Sequence, residues 1–191
     1  TDYPLLGGFV TMDNGSADVV AAAAGKVTRV VDGNYDRCSV DFKTMEANCW
    51  GHKKRSNYVE ITHKDGSKTT YHHLKKNSIR VRVGDFVKCG EFLGLVGSSG
   101  NSTMPHLHFE VITPNGKKVD PYGGPLSQPY TYWHEAYLAD GLPSGSCQNT
   151  RQPGGRCQWE FVQDAVTCGT QTVTSALACG ADLVACGKEW V

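Results

Sequence analysis

Four of the seven histidines fall in two tight groups, Tyr71-His72-His73-Leu74 and Pro105-His106-Leu107-His108-Phe109. Side chains along a strand alternate faces, so His106 and His108 point the same way while Leu107 points the other. Two imidazoles on one face suit a metal site or a ligand–base pair; two surface histidines on an edge strand are the plainer alternative. His72 and His73 are adjacent, so strand parity lets only one of them face the same groove. His52, His63 and His134 lie in polar surroundings and read as surface residues.

The elements that must position these groups are short strands. Runs at 26–31, 57–63, 67–74, 79–83, 91–97 and 106–112 are β-rich and end at Gly, Asn, Asp or Pro turn signals. Lys64-Asp65-Gly66 between two of them marks a hairpin. Strands this short, joined by turns, predict an all-β antiparallel domain. The chain has 191 residues, the size of one domain or one domain plus a small appendage. Its 19 basic and 19 acidic residues cancel, so no net field draws it to nucleic acid or an anionic membrane. No apolar run approaches the ~18 residues of a membrane-spanning helix. Thr1-Asp2-Tyr3-Pro4 has neither a basic nor an apolar leader region.

Eight cysteines stand at 38, 49, 89, 147, 157, 168, 179 and 186, with no C-x-x-C pair. An even count without zinc-ribbon spacing suits disulfides and a secreted or periplasmic protein. Cys38 and Cys49 bracket a short polar excursion between strand-like runs and are the expected pair. Composition shifts after Pro121, and residues 141–155 are rich in Gly, Pro, Ser and Gln. The expected division is therefore a β domain over 1–140 and a cysteine-rich extension over 141–191, too small to build a core alone.

The run from Val83 to Gly94 resembles the "V-G-D-x-V-x-x-G-x-x-I/L-G" turn of the lysostaphin/LytM-type zinc metallopeptidases, the M23 peptidases. Gly97 to Val111 resembles their "G-x-S/T-G-x-S-T/A-x-P-H-L/V-H-F/W-E" block nearly letter for letter, Thr70 to Leu74 their "Y-x-H-L", and Val19 to Val27 their "V-x-A-A/P-x-x-G-x-V". The resemblance covers roughly residues 5–122. It implies an open antiparallel sheet of the LytM type with a groove, and zinc-dependent hydrolysis of peptidoglycan peptides; the cysteine-rich extension has no counterpart in it. By that resemblance His108 is a zinc ligand, His73 and His106 are the catalytic histidines, and Asn57 is structural.

The family's first ligand segment, "H-x-G-x-D", falls without gaps on Leu6-Gly7-Gly8-Phe9-Val10. Leu6 and Val10 then stand where a His and an Asp are expected, and neither binds zinc. Three readings follow. Asp13 or Asp18 supplies a carboxylate after a shift of register; His72 acts as a surrogate ligand; or the domain is degenerate and binds peptidoglycan, or regulates another cell-wall hydrolase, without cutting. Asp13-Asn14-Gly15 reads more simply as a turn. A further alternative makes the cysteine-rich extension the active part of a structural, partner-binding protein.

Overall fold

The computed structural model describes residues 1–15, 17–124, 127–129 and 132. Its elements in chain order are β1 (Asp2–Pro4), α1 (Gly8–Asn14), β2 (Asp18–Val20), β3 (Gly25–Val31), β4 (Ser39–Asp41), β5 (Glu46–Asn48), β6 (Tyr58–Thr62), β7 (Lys68–His72), β8 (Phe86–Val87), β9 (Phe92–Leu95), β10 (His106–Ile112) and β11 (Lys118–Val119). The main sheet runs β1-β10-β7-β6-β3-β8, with β11 also on β10; β2–β9 and β4–β5 form separate pairs. Every strand ladder is antiparallel. The all-β antiparallel class is as expected. The expected boundary near 140 and the cysteine-rich extension lie outside the described residues.

Alternation sorts the sheet into two faces. Along β10, Leu107, Phe109 and Val111 are fully buried, while His106, His108, Glu110 and Ile112 are half-exposed on the opposite face. Val59 and Ile61 on β6 and Tyr71 on β7 join the same core. The Tyr71 ring lies 5.3 Å from that of Phe109. Its hydroxyl accepts a hydrogen bond from Ala22 N at 2.8 Å, tying the buried Ala21–Ala23 segment to the sheet. Val19 of β2 and Leu93 of β9 pack into this core from the second layer. The other face of the sheet is therefore polar, and it carries the histidines.

Three local expectations are corrected. Residues 8–14 form a helix that buries Met12, and Gly15 at φ 65° is its left-handed C-terminal cap rather than part of a free turn. Residues 79–83 form no strand: Arg80 N bonds to Leu93 O, while Arg82 N turns to the Asp85 carboxylate instead of a neighbouring strand. His63 is buried, not on the surface. Its ring bridges Ala24 O at 2.9 Å and Thr69 Oγ1 at 2.8 Å. By contrast, His52 is exposed and stacked on Tyr35, and His134 lies outside the described residues.

Burial lowers the His63 pKa to about 4, against the opposing pull of the Ala24 carbonyl. Between pH 6.5 and 4 the unfolded chain therefore binds a proton that the folded chain refuses. The stabilisation is complete above pH 6.5 and is lost as pH falls toward 4. Denaturant titrations at pH 7.5 and 4.5 check this. The unaltered protein should lose about 2–3 kcal/mol more between them than His63→Gln does; equal losses in both proteins would contradict it.

Candidate metal and active site

The site is assembled on the polar face where β1, β10 and β7 lie side by side. Asp2 is directly opposite His108 across the β1–β10 ladder, and His108 is directly opposite His72 across β10–β7. The carboxylate of Asp2 reaches His108 with Oδ1 2.6 Å from Nδ1, and the same oxygen is 3.6 Å from His106 Nε2. On the other side of the His108 ring, Nε2 is 3.0 Å from Glu110 Oε1. Lys118 Nζ binds that glutamate oxygen at 2.6 Å. Partial burial works to raise the Glu110 pKa, but the hydrogen bonds and charges of Lys118 and His108 outweigh it and bring it to about 2. Asp2 is also lowered, the His108 bond and the nearby positive charges overcoming its desolvation.

His108 thus has an ionised carboxylate on each ring nitrogen, whereas a neutral imidazole has one N–H to give. Whichever nitrogen carries it, the other's lone pair faces a carboxylate oxygen, Asp2 at 2.6 Å or Glu110 at 3.0 Å, an approach that needs a second proton or a cation. A histidine that donates one nitrogen to a carboxylate and turns the other toward a second oxygen donor has the arrangement of a metal-ligating histidine with its supporting carboxylate.

His73 and His106 stand beside this pair. The backbone of His73 is left-handed, φ 63°, and this breaks strand alternation immediately after β7. Both His72 and His73 consequently turn to the polar face, correcting the parity argument. The His73 ring is 4.6 Å from that of His106 and 5.7 Å from that of His108; His72 is 5.8 Å from His108. His73 Nδ1–H donates to Ser99 O at 2.6 Å, and His106 Nδ1–H to Met104 O at 2.8 Å with Ser102 Oγ 3.2 Å away. Each ring is left with an Nε2 lone pair. Burial lowers His73 to about 4, with the Ser99 carbonyl opposing and the neighbouring histidines adding to the shift, so it is an unprotonated base at neutral pH.

Buried serines and an asparagine hold these rings in place. Ser56 Oγ accepts the His73 N–H, Ser99 Oγ bridges Asn57 N and Leu74 O, and Ser98 Oγ links Cys38 O to Ser102 Oγ. Asn57, fully buried, donates to Asn34 O and Leu74 O, which makes it structural as expected. Close approach of this loop requires glycine: a Cβ at Gly97 would lie 2.5 Å from Lys75 N, and Gly100 combines φ 81° with Ser56 N at 2.8 Å. Cys38 and Cys49 are disulfide-bonded as expected and close the β4–β5 hairpin against the loop, where Val40 N bonds to Thr103 O.

The positions counted for the first ligands do not reach the site. Leu6 follows β1 and Val10 lies in α1, both largely exposed, at 73% and 71%. Asp13 is on the same helix and its carboxylate pairs with Arg37 at 2.5 Å. The acid that faces His108 is Asp2, eight residues before Val10. Its signal in the sequence was the alternation Asp2-Tyr3-Pro4-Leu5, with Tyr3 and Leu5 buried and Asp2 left on the polar face. Glu110 was legible by the same parity, two residues beyond His108.

Residues 7–121 match peptidase family M23. The chain belongs to this family. The match begins after Asp2, so it is the geometry that brings this acid into the site. Among curated relatives, the peptidoglycan DD-endopeptidase ShyB of Vibrio cholerae is 45% identical over 64 residues, 34% of this chain and 15% of ShyB. The glycyl-glycine endopeptidase ALE-1 of Staphylococcus capitis is 41% identical over 78 residues, 40% of this chain and 21% of ALE-1. The chain thus spans about a fifth or less of these relatives. The solved catalytic domain of lysostaphin from Staphylococcus simulans superposes with a TM-score of 0.39 at 29% identity, covering 55% of this chain and 67% of that one.

Nitrogen-detected NMR at pH 7 tests the ring assignments. His73 and His106 are expected as Nδ1–H tautomers, each donating to a backbone carbonyl. An Nε2–H tautomer at His73 would contradict the geometry.

Proposed function

We propose that this domain is a zinc-dependent endopeptidase acting on peptidoglycan peptides laid across the polar face of its sheet. The observation that carries the reading is the placement of Asp2 and Glu110 on the two nitrogens of His108. The donor set fits zinc in kind, a carboxylate oxygen and an imidazole nitrogen turned toward one point. Asp2 and His108 would hold the metal, and Glu110 fixes the tautomer and orientation of His108. When bound, zinc acidifies a coordinated water and polarises the scissile carbonyl. His73 and His106, their rings 4.6 Å apart and each with Nδ1 spent on a carbonyl, would use Nε2, one to take a proton from the attacking water and one to deliver a proton to the departing amine. The disulfide, together with the activities named for the relatives, supports work in the cell wall or periplasm, outside the reducing cytosol. In this reading residues 1–140 form the working domain and 141–191 an appendage to it.

One observation favours a second reading. Catalytic zinc sites ordinarily have three protein donors, and among the described residues no three His, Cys, Asp or Glu side chains form a metal-sized group. On that count the domain is a groove that binds wall peptide, or steers another cell-wall hydrolase, without cutting.

Incubation with purified peptidoglycan separates the two. The first reading expects new free amino groups, suppressed by a chelator, restored by zinc, and slowed about 10²–10⁴-fold in His106→Ala. Co-sedimentation with peptidoglycan but no amine release, with zinc present, would establish the second reading in its place.

A further inference from the structure

His72 is the one imidazole of the cluster that the proposed chemistry leaves unused. It sits at the end of β7, half-buried, directly opposite His108. Its ring is stacked on Tyr58 with centroids 4.8 Å apart and a 22° interplanar angle, and it meets the His108 ring edge-on at 5.8 Å. The ring is therefore held on both sides. Neither of its nitrogens is hydrogen-bonded to another described residue. This contrasts with its three neighbours: His73 is tied to Ser99, His106 to Met104, and His108 to Asp2 and Glu110. A half-buried imidazole that is fixed by stacking, with a donor and an acceptor both unspent, is arranged to receive a polar ligand group from outside the sheet.

The register says which group that is. Tyr58, His72, His108 and Asp2 form a row across β6, β7, β10 and β1. Adjacent strands are ~4.8 Å apart and an extended peptide advances ~3.3 Å per residue. A peptide lying along this row with its cut bond over Asp2 and His108 brings the next residue or two over His72. A peptide group offers a carbonyl and an N–H, the complement of one imidazole donor and one acceptor.

We propose that His72 is a substrate-binding residue, which hydrogen-bonds the backbone amide of the peptide one or two residues from the cut bond. The inference rests on the endopeptidase reading and names a contact within that groove. It assigns His72 to the peptide and not to the metal.

The test uses the 191-residue chain and two substitutions. His72→Phe keeps a ring for Tyr58 to stack on but removes both hydrogen-bonding atoms; His72→Gln keeps a donor and an acceptor. Calorimetric titration with soluble cross-linked muropeptides, in chelator so that nothing turns over, reads binding. Elemental analysis after zinc loading reads the metal. The expected result is binding weakened about five- to tenfold in His72→Phe, mostly restored in His72→Gln, with zinc content equal in all three. Unchanged binding in His72→Phe overturns the inference while leaving the endopeptidase reading in place. Zinc lost from both variants overturns it by making His72 a ligand. Failure of the unaltered protein to bind muropeptides overturns the function reading and this inference with it.

Discussion

Everything at the site depends on one constraint: the His108 ring is held between two carboxylates. An imidazole cannot satisfy both with a single proton. Lys118 and His108 keep Glu110 ionised and His108 helps keep Asp2 ionised, so both ring nitrogens face negative oxygens. At 2.6 Å the Asp2–His108 contact is a short, charge-assisted hydrogen bond, and under the zinc reading the same two groups would hold the metal. The requirement explains why β1, a strand of only three residues, is docked on the edge of β10: its register sets Asp2 against His108, with Tyr3 buried beneath.

Around that pair the sheet and one loop divide the remaining work. The sheet supplies a row of polar side chains at fixed spacing. The loop from Gly97 to Pro105, folded tightly on residues 56 and 74–75 through its glycines, supplies the carbonyls of Ser99 and Met104 that orient His73 and His106. Buried serine hydroxyls satisfy the backbone groups this packing would otherwise strand. The disulfide-closed hairpin backs the same loop from its other side, so the His73 and His106 imidazoles are positioned by backbone that has little freedom to move.

Much of this was legible in the sequence. The strand carrying His106 and His108, the hairpin over residues 58–72 and the Cys38–Cys49 pair all follow from alternation, turn chemistry and local spacing. Other features depend on contacts that no local pattern encodes. His73 escapes strand parity because its backbone turns left-handed, where Ser56 and Ser99 capture it. His63 looked solvent-facing because Lys64 and Asp65 follow it, yet Ala24 and Thr69 close over its ring. Leu6 and Val10, where the count without gaps puts the family's first His and Asp, carry no side chain to the polar face. The chain places α1 there, and the acid that faces His108 lies before it, on β1.

The central claim is that Asp2 and His108 share a metal ion. Anomalous diffraction at the zinc edge from crystals grown with zinc tests it most directly. The account predicts a peak ~2.0–2.2 Å from an Asp2 carboxylate oxygen and from His108 Nδ1, with Glu110 still on Nε2. A peak that makes no contact with Asp2, or no peak while the Asp2–His108 hydrogen bond persists, would contradict it.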